Sequence, residues 1–174
     1  MKSVLISIKP KWCELIASGK KTIEVRKTRP KCDMPFKCYI YCTKDKGISF
    51  WTGKRYAYAD DRSHNLFDVC GNGKVIGEFV CRNMTCIQAS IDFQGEKHLY
   101  NIAFIENRMC LNDEELFNYI YDGKRNEGWC WHISDLVIYD KPKSIKEFYH
   151  NGVRRGAKVT RPPQSWCYCE EVEP

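Results

Sequence analysis

The 174-residue sequence lacks any uninterrupted apolar run of the length, about 18–20 residues, that crosses a bilayer. Its first ten residues alternate apolar and polar positions and lack the apolar core and small-residue cleavage site of a secretory signal peptide. Internal repeats, low-complexity tracts and linkers are also absent. We therefore expect a non-membrane protein of the cytoplasm, folded as a single domain over residues 1–174.

The sequence has no Cys-x2-Cys pair, although it contains 11 cysteines. Zinc knuckles use that spacing, and an odd count without an export signal argues against a disulfide framework. Cys38, Cys42, Cys81 and Cys169 lie in apolar or alternating runs, where cysteine packs as a small hydrophobic residue. We expect reduced structural thiols, no metal and no cofactor.

Positive charge is concentrated in two separate parts of the sequence. Residues 1–60 carry 14 Lys and Arg against 5 Asp and Glu, and residues 141–161 carry 7 against 1. The segment between them, residues 61–140, is acidic, with 7 Lys and Arg against 13 Asp and Glu. If the fold brings the two basic segments together, the resulting surface would suit a phosphate-bearing partner; the alternative is a solvated surface with chance clustering.

Periodicity predicts short strands separated by a few helices. Pro10 and Gly19 bracket a helix with Trp12, Leu15 and Ile16 at helical spacing, and Asn112 begins a second capped helix. A long polar connection at about 44–73 is predicted as an insertion. This pattern indicates an α+β domain with a small curved sheet or barrel. The predicted strands are 4–8, 22–26, 36–43, 74–81, 129–139 and 165–170.

The segment GKKTIEVR at 19–26 is the most informative part of the sequence. On a half-buried strand, Glu24 and Arg26 project from the same face, and Lys21 stands at the entrance to that face. Two cations around one carboxylate can position an anionic or hydrogen-bonding ligand. The alternative is an exposed strand face carrying ordinary surface salt bridges.

This segment resembles the G-x-K-x-x-E-x-R signature of the ASCH domain, a family within the PUA-like superfamily. The matching positions are Gly19, Lys21, Glu24 and Arg26. The resemblance covers most of the chain, except residues 44–73 and the acidic middle. Four flanking segments also agree with the family. LISIKP at 5–10 is similar to the start of many bacterial and phage members, and VIGEF at 75–79 is similar to the central strand of the family. WHIS at 131–134 and PPQSW at 162–166 are similar to later segments of the longer bacterial and phage members.

The resemblance implies a small, mostly antiparallel PUA-like β-barrel with a few flanking helices and a cleft beside the helix that precedes the motif. PUA-like relatives commonly bind RNA, and some hold a modified base in an aromatic cage. Bacterial members that hydrolyse 4-acetylcytidine use a lysine and a threonine of this motif. Lys21 matches the lysine, but Glu24 occupies the threonine position, so the hydroxyl nucleophile is missing here.

Aromatic and polar residues late in the sequence are further candidates for a ligand site. Trp131 and Trp166 neighbour polar residues and could stack on a base, although most tryptophans are core residues. His132 could act as a general base near neutral pH, although a lone histidine is more often structural. The candidate set also includes Ser134, Gln164 and Ser165.

Three function classes remain open. The leading hypothesis is a nucleic-acid-binding module that takes RNA or a modified nucleobase in a basic cleft. The alternative is a hydrolase acting on a modified nucleoside or on RNA, with Lys21 and Glu24 as catalytic residues. The third is an accessory protein whose acidic segment meets a protein partner of unknown identity. In the leading hypothesis the cleft is lined by Lys9, Lys21, Glu24 and Arg26, and phosphates are contacted by Lys11, Lys20, Arg154 and Arg155.

Overall fold

The computed structural model of the protein describes residues 2–52, 69–152 and 154–172. Within them, no helix is long and apolar enough to span a membrane. A 3-10 turn at Ile145–Glu147 follows the last long strand. The described strands are β1 (Lys2–Ile8), β2 (Ile23–Arg26), β3 (Phe36–Cys42), β4 (Trp51–Thr52), β5 (Val69–Cys70), β6 (Lys74–Ile91), β7 (Lys97–Tyr100), β8 (Glu127–Lys143) and β9 (Trp166–Glu170). The helices are α1 (Pro10–Ala17), α2 (Glu106–Met109) and α3 (Asp113–Ile120).

The main sheet has the strand order β2-β8-β6-β3-β1-β9, and β7 also pairs with β6. Strand β1 runs parallel to β3, whereas the β1–β9, β2–β8 and β6–β7 pairs are antiparallel. Strands β4 and β5 form a separate antiparallel pair near the two ends of the predicted 44–73 connection, whose residues 53–68 lie outside the described part of the chain. The strands predicted at 22–26 and 74–81 therefore belong to one sheet.

The predicted closed barrel is wrong, because the sheet is open. A barrel needs its first and last strands to hydrogen-bond with each other. In the described part of the chain, β2 pairs with β8 and β9 pairs with β1, and the two edge strands do not pair with each other. The coarser prediction, a mostly β protein with few helices, is confirmed.

The chain forms two compact units, which β6 and β8 both enter. Unit 1 comprises Met1–Glu14, Lys37–Phe79 and Leu136–Pro174, and unit 2 comprises Leu15–Phe36 and Val80–Asp135. The description of the whole chain as a single domain stays a prediction.

The core of unit 1 lies among β1, β3, β9 and the segment after β8. Tyr39 packs against Phe148 with ring centroids 5.0 Å apart, and its hydroxyl donates to the Val172 carbonyl at 3.1 Å. Gly77 on β6 is required by close strand packing, because a Cβ there would lie 2.3 Å from the Val137 carbonyl oxygen. The buried cluster comprises Leu5, Tyr39, Tyr41, Val75, Ile145, Phe148, Val159 and Cys169.

The core of unit 2 joins α2 and α3 to β2, β6 and β8. Helix α3 begins as predicted at Asn112, whose side chain accepts from the Glu115 N–H at 2.8 Å while Glu115 accepts from the Asn112 N–H at 3.1 Å. This capping box satisfies two backbone donors at the start of the helix. The buried cluster comprises Ile23, Val25, Ile87, Ala89, Ile105, Met109, Leu116, Phe117, Ile120 and Cys130.

Candidate functional site

The candidate site lies in unit 2 and is built on β2 and on the turn that precedes it. Gly19 takes a φ of +74°, a left-handed conformation that glycine adopts without strain, and so ends the helical segment. The Lys21 N–H then donates to the Leu15 carbonyl at 2.8 Å. These contacts place Lys21 two residues before β2, at the entrance to the strand, as the sequence predicts.

Three charged side chains of the motif converge. Glu24 Oε1 lies 2.8 Å from Arg26 Nη2, and Glu24 Oε2 lies 3.6 Å from Lys21 Nζ. Lys21 Nζ also donates to the Met109 carbonyl. The predicted meeting of Lys21, Glu24 and Arg26 is therefore confirmed.

The burial of this cluster differs from the expectation. Lys21, Glu24 and Arg26 are only 3%, 6% and 8% exposed, and all four residues of β2 are buried. The predictions of a half-buried strand and of an exposed salt-bridged face are therefore both wrong. The turn before β2 packs alongside α2 and the residue after it, since Thr22 N–H donates to the Arg108 carbonyl at 3.1 Å and Cys110 Sγ donates to the Lys20 carbonyl at 3.5 Å. On β8, the fully buried Trp131 lies opposite Glu24.

Two cation–aromatic pairs lie close to this cluster in the chain and in the sheet. Arg29 places its guanidinium carbon 4.4 Å from the centroid of the Trp129 ring, and Trp129 is the β8 partner of Arg26. Lys27 Nζ lies 5.6 Å from the centroid of Tyr119 on α3. Arg29 is exposed, and Lys27 and Trp129 are half-buried. These four residues, which we call the aromatic rim, combine ring faces with two cations, and Lys27 Nζ also lies 3.6 Å from Asp122 Oδ2.

Tyr119 connects the aromatic rim to the buried cluster electrostatically. The residue is 38% exposed, and partial burial of its phenol raises its pKa. The positive charge of Arg26 lowers the same pKa, and the negative charge of Glu24 raises it. The phenol therefore lies within the electric field of both charged groups.

The three candidates on β8 differ in their surroundings. Trp131 is opposite Glu24 in the strand register, is fully buried and packs edge-on against Phe36 with centroids 5.8 Å apart. His132 Nε2 lies 2.9 Å from Thr85 Oγ1, and burial, with a smaller effect of the Arg108 charge, lowers the pKa of His132. Ser134 is half-buried.

The remaining four candidates belong to unit 1. Lys9 is exposed, and its carbonyl accepts from the Trp12 N–H at 2.9 Å. Gln164 is exposed, whereas the Ser165 carbonyl accepts from the Ser7 N–H at 2.9 Å and holds the segment against β1. Trp166 is half-buried and lies edge-on to Tyr168 at 5.3 Å. Their role toward a ligand stays a prediction.

All 11 cysteines are free thiols, and the four that were expected to be buried are buried. Burial raises the pKa of Cys81 and of Cys130 to about 12 and that of Cys167 to about 11, so these thiols are protonated at neutral pH. Among the described residues, no group of three His, Cys, Asp or Glu side chains is arranged to hold a metal ion.

Sequence reasoning missed the partners that come from distant parts of the chain. Neither the Met109 carbonyl nor Tyr119 carried a local signal, because both reach the site through the packing of α2 and α3. Arg29 and Trp129 were visible as a basic residue and an aromatic residue, but their pairing depends on the β2–β8 register. A register prediction for the two strands could have found that pair.

An open, mostly antiparallel sheet with few helices, and a buried Lys–Glu–Arg motif after the first helix, characterise this α+β protein. The model of the ASCH domain family matches residues 6–150, and the chain belongs to this family.

The solved structures that are similar to this chain include ASCH proteins from Zymomonas mobilis. One has a TM-score of 0.57 and 17% sequence identity, and the match covers 95% of this chain and 86% of that chain. A tyrosine-to-phenylalanine variant has a TM-score of 0.57 and 17% identity, with coverage of 97% and 90%. A serine-to-alanine variant has a TM-score of 0.54 and 17% identity, with coverage of 95% and 87%. No curated protein matches the sequence at a significant level.

Proposed function

We propose that this ASCH protein is a nucleic-acid-binding module that takes RNA or a modified nucleobase beside β2. The observation that carries the proposal is the buried Lys21–Glu24–Arg26 cluster, with the aromatic rim next to it. The cluster supplies both hydrogen-bond donors and an acceptor, and the rim supplies ring faces and positive charge.

Stability alone is a poor explanation for the buried cluster. Removing a charged group from water costs several kcal/mol per ion, and well-packed apolar side chains of similar volume often stabilise a protein equally well or better. Charged groups held at such a cost occur preferentially where a ligand or a reaction uses them. The cost at Lys21, Glu24 and Arg26 therefore favours a binding role.

The exposed edge of the cluster indicates how a base would be held. The side chains of Glu24 and Arg26 are 8% and 10% exposed, and a base would reach the ion pair through that exposed part. A carboxylate accepts from the N–H groups of a base, and a guanidinium donates to its carbonyl oxygens. Trp131, opposite Glu24 and fully buried, would act by positioning the strand that carries the pair.

The aromatic rim would hold the neighbouring nucleotides. Single-stranded nucleic acids bind where bases stack on aromatic rings and cations meet the phosphates. Tyr119 and Trp129 provide the rings, and Lys27 and Arg29 provide the cations within 5.6 Å and 4.4 Å of them. This combination favours a single strand over a duplex.

Replacing Tyr119 with alanine is expected to weaken binding of a fluorescent single-stranded RNA by about 5- to 150-fold, which corresponds to about 1–3 kcal/mol for one base stack. Arg29→Gln should reduce the slope of log affinity against log salt by about 0.7, because one phosphate contact is lost. Fluorescence anisotropy at several salt concentrations measures both quantities.

Tyr100→Ala is the matched control, because Tyr100 is an exposed tyrosine of the same unit on β7. It should bind RNA like the unchanged protein. Circular dichroism verifies that all three variants are folded. If folded Tyr119→Ala and Arg29→Gln keep the affinity and the salt slope of the unchanged protein, the aromatic rim has no part in RNA binding. If the unchanged protein binds RNA with an affinity that does not depend on salt, the proposal is rejected.

A hydrolase acting on a modified nucleoside is the second candidate function. The observation that favours it is the buried contact between the Lys21 amine and the Glu24 carboxylate at 3.6 Å, a pairing of groups that can exchange protons. Here Lys21 would activate the substrate and Glu24 would serve as the acid or base.

If the protein is this hydrolase, we expect product from an acylated cytidine and loss of that product in Lys21→Arg. Arginine keeps the positive charge beside Glu24, but it does not give up its proton near neutral pH. Chromatography of the nucleoside pool measures turnover. Equal turnover by Lys21→Arg would exclude Lys21 as the proton-transferring residue, and no turnover by the unchanged protein leaves binding as the function.

A further inference from the structure

Unit 1 contains two adjoining cavities that the proposed function does not use. One has a volume of about 470 Å³ and the other about 560 Å³, within the range of about 300–1,000 Å³ that ligand sites occupy. Thr160 and Pro162 line both cavities, so the two adjoin. We call this pair of cavities the double cavity.

The double cavity is lined by positive charge. Arg154 and Arg161 line the smaller cavity, and Lys44 and Lys146 line the larger one. All four are exposed, and within the described part of the chain none of them is within ion-pair distance of a carboxylate. None of the described lining residues is Asp or Glu. The thiol of Cys167 adds no negative charge, because burial raises its pKa to about 11.

The two basic segments of the sequence meet here. Lys44 comes from the first segment, and Lys146, Arg154 and Arg161 come from the second. Unit 1 contains 17 Lys and Arg against 11 Asp and Glu, whereas unit 2 contains 11 of each. The whole net charge of +6 therefore belongs to the unit that holds the double cavity.

Three hydrogen bonds, two between backbone groups and one from a side chain, hold the segments that line the double cavity. Val159 N–H donates to the Phe148 carbonyl at 2.8 Å, and His150 N–H donates to the Ala157 carbonyl at 2.8 Å. At the other side, Ser7 Oγ donates to the Pro163 carbonyl at 2.7 Å. A site with fixed walls loses less conformational entropy when a ligand binds.

We propose that the double cavity binds the phosphodiester backbone of a single-stranded nucleic acid, with one phosphate group in each cavity. Arg154 and Arg161 contact one phosphate, and Lys44 and Lys146 contact the other. Guanidinium groups pair with phosphate oxygens in a bidentate geometry, and lysines act as point charges. The inference rests on the proposed function, because the ligand class is the same, and it adds a second contact site in unit 1 to the motif site in unit 2.

The test is binding of a fluorescent oligouridylate of about 12 nucleotides, within the site sizes of single-strand binding proteins. The double variant Arg154→Gln/Arg161→Gln should reduce the slope of log affinity against log salt by about 1.4, at about 0.7 for each lost contact. Between about 50 and about 200 mM salt, the unchanged protein should then lose about sevenfold more affinity than the variant. Lys44→Gln/Lys146→Gln should behave in the same way.

The charge-matched control is Lys124→Gln/Arg125→Gln, which removes two exposed cations from unit 2 and should leave the slope unchanged. Inorganic phosphate and uridine monophosphate are tested as competitors, and each should displace the oligonucleotide weakly because it fills one cavity only. Polyglutamate is the competitor that represents an acidic protein.

Three results would overturn the inference. The first is an unchanged salt slope in both double variants, and the second is an equal loss in the charge-matched control. The third is displacement by polyglutamate or by inorganic phosphate as effective as that by unlabelled oligonucleotide. Tyr119→Ala tests the site in unit 2. If Tyr119→Ala weakens binding while both unit 1 double variants keep the salt slope of the unchanged protein, only the double cavity is rejected. If the unit 1 variants lower the salt slope while Tyr119→Ala binds normally, only the site at β2 is rejected.

Discussion

Glu24→Gln is expected to lower the free energy of unfolding by about 3–5 kcal/mol, the cost of leaving a buried charge without its partner. Glu24 is the anion shared by Lys21 and Arg26, at 3.6 Å and 2.8 Å, and all three side chains are at most 10% exposed. Glutamine keeps the shape of the side chain, so the change isolates the charge. Urea titration followed by circular dichroism measures the effect.

Glu96→Gln is the matched control, because Glu96 is an exposed glutamate of the same unit, and its effect should stay within about 0.5 kcal/mol. The double variant Lys21→Met/Glu24→Gln should recover part of the lost stability, because one of the two uncompensated cations is removed. If the Glu24→Gln protein is as stable as the unchanged protein, Glu24 does not pair with Lys21 and Arg26 as a buried charge. If that protein also bound RNA normally, the motif would have no part in the proposed function.

Trp131→Ala is expected to lower the free energy of unfolding by about 3–5 kcal/mol, the usual cost of truncating a large buried aromatic side chain. Trp131 is fully buried and packs edge-on against Phe36 at 5.8 Å. Alanine removes that ring contact and leaves a cavity beside β2. The same urea titration measures the loss.

Trp51→Ala provides the comparison, because Trp51 is 50% exposed and its truncation removes little buried area. The loss of unfolding free energy in Trp131→Phe should lie between the losses in Trp131→Ala and Trp51→Ala, since phenylalanine keeps an aromatic ring against Phe36. If Trp131→Ala instead leaves stability unchanged and abolishes RNA binding, Trp131 is a stacking surface, as the alternative interpretation of the sequence holds.

Local signals in the sequence predicted several elements well. Pro10, Gly19 and Asn112 act through the backbone of their own turns, and each begins or ends its element at the predicted place. The alternation at 22–26 likewise predicted that Glu24 and Arg26 share a face. Such features depend on dihedral angles and on neighbouring side chains, which the sequence shows directly.

Long-range packing explains the features that were not predicted. Strand β7 and helix α2 gave no clear periodic signal, since each has only four residues. All four residues of β2 are buried, with Trp131 of β8 opposite Glu24, whereas the alternating sequence predicted one exposed face. The resemblance implied a closed barrel, but the described sheet is open. Whether two edge strands pair depends on the whole sheet, so no local segment of the sequence reports it.

The sequence by itself determined the family, the motif, the separation of charge and the local start and stop of several elements, because these are properties of adjacent residues. Only the tertiary structure decided that the motif is buried, that Met109 and Tyr119 come to it, and that Lys44 meets Lys146, Arg154 and Arg161 at the double cavity. The physical reason is that desolvation and electrostatic contact depend on distance in space. Residues separated by about a hundred positions in the chain show no local pattern that reports such a distance.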